Sequence, residues 1–288
     1  MTLDELRSAL ADRDAKLDID GIVALEGPVR AEAEALLIAA LSADDERVAQ
    51  SLASLGGEAG KSALESYARH GGRDYTRLFV LHSLWDATSE RQWVEPLLFL
   101  LGSPDEEVRR TAAVLARYVP KELALPRLRQ LMLDDGVMAV RAVALDTTLA
   151  LHGFDEVPRS PESLLGPLFG CIGAPLKTVR QQALGQLDEV LTLETEVVAV
   201  CNVDVTEGWA QQWFVAMRDG ATYPEEALAA REGFERLWVT NHLLSMIHLD
   251  ARAVRMLRRL EFEGLAEIFG EARGLDLPAD VAAALVET

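Results

Sequence analysis

The dipeptide Val108-Arg109 recurs as Val140-Arg141 and Val179-Arg180, with a weaker copy at Thr76-Arg77. The four arginines are 32, 32 and 39 residues apart. At the third and fourth positions after each arginine stand apolar residues: Val80 and Leu81, Ala112 and Ala113, Ala144 and Leu145, Ala183 and Leu184. A turn-like stretch precedes each arginine (HGGRDY, GSPDEE, LDDGVM, IGAPLK), and another apolar, helically periodic segment precedes the turn. A period of this size marks a repeat architecture in which each unit is one supersecondary element.

The unit reads as helix, short turn, helix. First helices are predicted over 58–69, 90–101, 121–133 and 161–172, and arginine-bearing second helices over 74–86, 105–118, 137–151 and 176–191. An earlier pair, 29–41 and 45–55, joins them with DDERV at 44–48 as a looser copy. Two helices of this length cannot bury their own apolar face, so neighbouring units must stack and share a core, which makes a solenoid. The small residues Ala112, Ala113, Ala144 and Ala183 let the helices approach, and leucines fill the remaining space. Strand signals are sparse. Only EVVAVCNVDV at 196–205 could be extended, and its alternation is imperfect.

These residues resemble the bacterial HEAT-like repeat family, the group that includes the phycobilin lyases. There, D…VR..A…L marks the second helix of each unit, and the aspartate and arginine pair between neighbouring repeats in a ladder at the inter-helix turns. The resemblance is clear over 58–191 and extends to 29–57. It implies an all-α fold, a right-handed α-α superhelix of helical hairpins. It also implies that Arg77, Arg109, Arg141 and Arg180 tie adjacent turns. Asp135 and Arg141 match the family spacing, whereas Gly71, Ser103 and Ala174 stand at the equivalent aspartate offset. The aspartate side of the ladder is thus mostly missing. We expect residues 1–192 to form the repeat array with an N-terminal cap. Residues 193–288 should form irregular helical units and a C-terminal cap continuous with it.

In that last third, DVTEGWAQQWFVAMRDG (204–220) reads as a helix with Trp209 and Trp213 on one face, where core is the better reading for both. Residues 223–250 read as one helix or two. Residues 251–274 read as helical, with Phe262, Leu265 and Phe269 at helical spacing, and Pro278 opens a last short helix.

The formal net charge of −19 disfavours a phosphate backbone and anionic membranes and favours a partner with a basic surface. Charge is uneven: −8 over 1–101, −2 over 102–190 and −9 over 191–288. Only four of the 28 basic residues are lysine, which points to a GC-rich genome. Cys171 and Cys201 are thirty residues apart with no CxxC, which argues against zinc or a disulfide framework and for reduced thiols in the cytoplasm. The charged N-terminus is not a secretory signal, and no apolar run is long enough to span a membrane.

Chemical signatures are absent. The histidines (His70, His82, His152, His242 and His248) form no HExxH, and none is followed by glutamate, so no metal or other cofactor is expected. SLGGEAGKS at 54–62 lacks the Walker spacing, because Leu55 stands where a glycine is needed, and it reads as an inter-helix turn. The acids at 44–46, 105–107 and 134–135 sit at turns or in first helical turns, where they complement the helix dipole.

The expected function is therefore a non-enzymatic scaffold or adaptor that holds another protein in its groove. A toxin-neutralising immunity protein and a bilin or other small-molecule lyase are the alternatives. A DNA glycosylase of the same architecture is disfavoured by charge. In HEAT-like solenoids the second helices line the concave face, which nominates the solvent-side positions Arg110, Arg117, Asp146, Gln182 and Asp188. Arg252, Arg255 and Arg259, with Arg258, form a strip able to grip an acidic partner, though a solvated face pairing with Glu261 and Glu263 explains it as well. The oligomeric state is left open.

Overall fold

A computed structural model describes residues 1–155, 165–192, 233–260, 262 and 264–286. Every element among them is helical. The segment 196–205, the Trp209/Trp213 helix, Cys201 and the acids Glu261 and Glu263 lie outside the described residues. The chain divides into two compact units, Met1–Arg127 and Leu128–Thr288.

Unit 1 starts with α1 (Leu3–Ala11), whose Thr2 and Glu5 make a reciprocal capping box, and a short α2 (Ile19–Val23). Helical hairpins follow: α3 (Gly27–Ser42) with α4 (Val48–Leu55), and α5 (Glu58–His70) with α6 (Asp74–Thr88). Next come α7 (Val94–Phe99) and α8 (Glu106–Leu115), each continued by 3-10 turns. The first helices α3 and α5 pack together, and the second helices pack in order, α4 on α6 and α6 on α8. The interior is leucine and valine from both layers, including Leu37, Leu52, Leu64, Leu78, Leu81 and Leu97. The predicted helix over 90–101 is shorter than expected as an α-helix. Pro96, which has no N–H to donate, falls in the first turn of the α-helix, which begins at Val94 after a 3-10 turn. Within the glycine stretch at 54–62 the turn is confined to two residues: Gly56 ends α4 with left-handed geometry, and Gly57 precedes α5, which takes up 58–62.

Helix α9 (Lys121–Asp134) carries Pro126 in its interior. Unit 2 continues with α10 (Met138–Leu151), α11 (Gly166–Gly173) and α12 (Lys177–Leu191). After the undescribed segment come α13 (Gly233–Met246), α14 (Ala251–Arg259), α15 (Leu265–Ala272) and α16 (Ala279–Val286). Helix α11 is the hub, touching α10, α12 and α13. Its Gly170 is required there, since a Cβ at that position would lie 2.6 Å from Ser245 Cβ on α13.

The continuous helix read over 251–274 is not formed. Gly264 takes a left-handed φ of 89° and separates α14 from α15, so Phe262 is not on the same helix as Leu265 and Phe269. Pro278 does open the last helix, its carbonyl accepting from Ala282 N–H at 2.9 Å.

The repeated arginines all sit at the fourth residue of their helices. Arg77 Nε donates to Ala68 O at 2.8 Å, and Arg109 Nη1 to the turn carbonyls of Ser103 and Pro104 at 2.9 and 3.1 Å. Arg141 reaches farther. Its Nη1 donates to Asp135 O in its own turn at 2.6 Å. Its Nε and Nη2 donate to Ile172 O and Gly173 O, at 2.7 and 2.6 Å, at the end of α11. Arg180 mirrors it, holding Ala174 O and Pro175 O in its own turn and Leu133 O at the end of α9. Both guanidiniums are buried and converge on the Ala174 carbonyl. Burial pulls both below the usual arginine range; Arg180 adds to the effect on Arg141, and Glu271 and Asp134 counter it at Arg180.

In unit 1 a carboxylate links neighbouring turns instead. Asp44, in a left-handed backbone position between α3 and α4, accepts from Tyr67 Oη and from Arg73 N–H, while its carbonyl accepts from Thr76 Oγ1. Burial, with the bond to Asp44, pushes the Tyr67 phenol up to about 12. The folded chain therefore holds this proton more tightly than the unfolded chain, whose tyrosine titrates near 10. The stabilisation is complete below pH 10 and is lost as pH rises through 12. Urea midpoints followed by circular dichroism should fall between pH 10 and 12 in the wild type. Tyr67→Phe should flatten that interval, and equal slopes in the two proteins would contradict the assignment.

Candidate functional site

A groove of about 600 Å³ lies between α4 and α6 in unit 1. Helix α6 supplies Tyr75, Phe79, His82 and Asp86, spaced 4, 3 and 4 residues apart and hence on one face. Its other faces carry the buried Leu78, Val80, Leu81 and Leu84, which fix that face outward. Helix α4 and the turn before it supply Glu46, Arg47, Gln50 and Ser54.

The rings of Tyr75 and Phe79 meet edge to face with centroids 5.3 Å apart. His82 meets Tyr118 the same way at 5.3 Å, and Trp85 Nε1 donates to Tyr118 O at 2.7 Å. Burial lowers the His82 imidazole below its ordinary 6.5, with Asp86 opposing the shift, so the ring is neutral at pH 7. Tyr118, in the 3-10 turn after α8, extends the aromatic surface beyond His82 and is 57% exposed.

Arg47 lines the groove yet is committed elsewhere. Its Nε and Nη2 bind Asp45 at 2.9 and 2.7 Å, and its Nη1 donates to the carbonyls of Ala9, Asp12 and Ala15. Glu46 and Asp86 are in no ion pair with any described residue. The groove thus combines an aromatic floor, a neutral imidazole and two carboxylates that are in no close ion pair among the described residues.

The residues nominated from sequence are spread over both units. In unit 1, Arg110 is exposed on α8 and Arg117 half-buried just after it, and neither lines the groove. In unit 2, Asp146 is half-buried on α10. The amide of Gln182 fills the space a Cβ on Gly264 would need, 2.3 Å away. Asp188 is held by both Nη atoms of Arg129, at 2.5 and 2.8 Å. On α14, Arg252 binds Asp250 through Nε and Nη2, and Arg255 and Arg259 are exposed. Arg258 donates to Leu285 O and lies over the Phe269 ring at 4.8 Å. Asp135 accepts from Val137 N–H at 2.8 Å, shaping the turn before α10.

Sequence reasoning missed the Tyr75–Phe79–His82–Asp86 face, although its spacing could have revealed it on a helical wheel. It also missed Glu271, which caps α12. That carboxylate accepts from Lys177 N–H at 2.5 Å and from Thr178 N–H and Oγ1 at 2.8 and 2.7 Å, and nothing in the local pattern announces a cap some ninety residues away.

Cys171 is fully buried and its thiol donates to Asn241 O at 3.0 Å; burial raises its pKa strongly, which removes thiolate character. No group of three His, Cys, Asp or Glu side chains disposed to hold a metal occurs among the described residues, and none of the described helices is long and apolar enough to cross a membrane. Comparisons with protein-family models, curated proteins and solved structures find no match for the chain.

Proposed function

We propose that the chain is a non-enzymatic protein-binding scaffold of the HEAT-like α-solenoid kind, which holds its partner against the second helices of unit 1. The observation that carries this is the groove between the second helices α4 and α6, continued past His82 by the exposed Tyr118. Aromatic side chains anchored by packing, with polar groups around them, are the composition of a protein-recognition surface. The ordered packing of α4, α6 and α8 supports the stacked-repeat part of the reading. In this reading the chain works in the cytoplasm with Cys171 reduced, and its buried thiol has no part in chemistry.

Photo-crosslinking in the native host tests it. p-Benzoylphenylalanine replaces Gln50 or Ala87, two exposed residues of the groove, and in a control replaces Glu122 on α9. One protein should crosslink from both groove positions and not from Glu122. Equal labelling from all three positions, or a groove that captures no protein while a small molecule co-purifies, would overturn the scaffold reading.

A further inference from the structure

Resting on the reading of the groove as a partner site, we propose that its occupant is a basic segment of the partner protein. An arginine or lysine cation is drawn to Glu46 and Asp86, and its apolar stem and neighbours lie on the Tyr75–Phe79 pair.

The charge pattern points one way. Among the described residues Arg47 is the only lysine or arginine lining the groove, and each of its three nitrogens already donates, to Asp45 or to main-chain carbonyls. It pairs closely with Asp45, and among the described residues Glu46, which feels the Arg47 charge at longer range, and Asp86 are in no ion pair. His82 is neutral and adds no positive charge at pH 7. An acidic or phosphorylated segment would meet two carboxylates and, among the described residues, no lysine or arginine uncommitted to another group. A purely apolar segment would cover both carboxylates and remove them from water without compensation.

A cationic side chain answers each requirement. Its charge pairs with the carboxylates, its methylene stem packs on apolar surface, and its head group interacts favourably with aromatic rings. The surrounding field acts in the same direction, because residues 1–101 carry a net charge of −8 and attract basic segments before contact.

The test uses the full-length chain and three fluorescein-labelled twelve-residue peptides, read by fluorescence anisotropy at 150 mM salt. One peptide alternates Arg or Lys with Leu, one has Gln in place of every basic residue, and one has Glu. The basic peptide should bind at least about tenfold more tightly than the other two. Glu46→Gln with Asp86→Asn should weaken it about tenfold, while Glu122→Gln with Asp276→Asn, which removes two charges from other exposed sites, should change it less than about twofold. Circular dichroism melts confirm that both double variants fold.

An equal loss in the two double variants would overturn the proposal by showing attraction to net charge alone. Binding of the Gln peptide as tight as the basic one, lost in Phe79→Ala, would also overturn it and would leave the groove as a partner site for apolar segments. A native partner crosslinked at Gln50 through a segment without Lys or Arg would do the same. Failure of every peptide, together with no crosslink from Gln50 or Ala87, would remove both the occupant and the site.

Discussion

Arg141→Met should lower the stability of the folded chain by about 3–5 kcal/mol, the cost of removing a buried charged donor from several acceptors at once. Arg141 is 4% exposed and joins its own turn, through Asp135 O, to the end of α11, through Ile172 O and Gly173 O. Methionine keeps much of the side-chain volume and supplies no donor, so these carbonyls are left buried and unpaired. The measurement is a urea titration followed by circular dichroism, with amide hydrogen exchange across 166–173. The midpoint should fall, and the α11 amides should lose protection more than those of α3 and α5. Arg77→Met, which removes the single donation to Ala68 O, should cost about 1 kcal/mol. Equal effects of the two substitutions would show that reaching a neighbouring hairpin adds nothing.

Trp238→Ala should cost about 3–5 kcal/mol by leaving a large cavity. Trp238 has no solvent exposure, and its ring stacks on His242 with centroids 5.5 Å apart and planes within 9°. It stands on α13, which packs closely on α11 at the Gly170–Ser245 approach. Trp238→Phe keeps an aromatic partner for His242 and should lose less than half as much, as read from thermal melts of the three proteins. A loss under about 1 kcal/mol for the alanine variant would mean that the site collapses around the missing ring.

What could be read from the chain was what periodicity encodes. The hairpins over 58–151 appear within a few residues of their expected bounds, because a turn signal and an apolar stripe are local properties. The Val-Arg positions were legible as a repeated feature for the same reason. Their acceptors were not. The resemblance to a ladder family suggested aspartates, whereas Arg141 and Arg180 donate to main-chain carbonyls and the carboxylate link in unit 1 comes from Asp44. Asp44 had been accounted for as a dipole-complementing acid, and its left-handed backbone and bond to Tyr67 depend on a neighbouring hairpin. Gly264 was legible as a glycine but not as a break, since helical spacing of Phe262, Leu265 and Phe269 masked it. The groove needed both helices in place. Tyr75, Phe79, His82 and Asp86 share a face in the sequence, but only the packing of α4 beside α6 turns that face into a concavity.

The carbonyl acceptors of Arg141 have an evolutionary consequence. A peptide carbonyl is the same group whichever residue bears it, so substitutions at Ile172, Gly173 or Ala174 that preserve the backbone path leave the bonds intact. No second residue has to change in step with the arginine. Turn sequences can drift without unlocking the neighbouring hairpin, and the lineage keeps its architecture while losing its lettering. Descendants of this chain would then be related through one retained guanidinium per hairpin and a spacing, with little else in common to read.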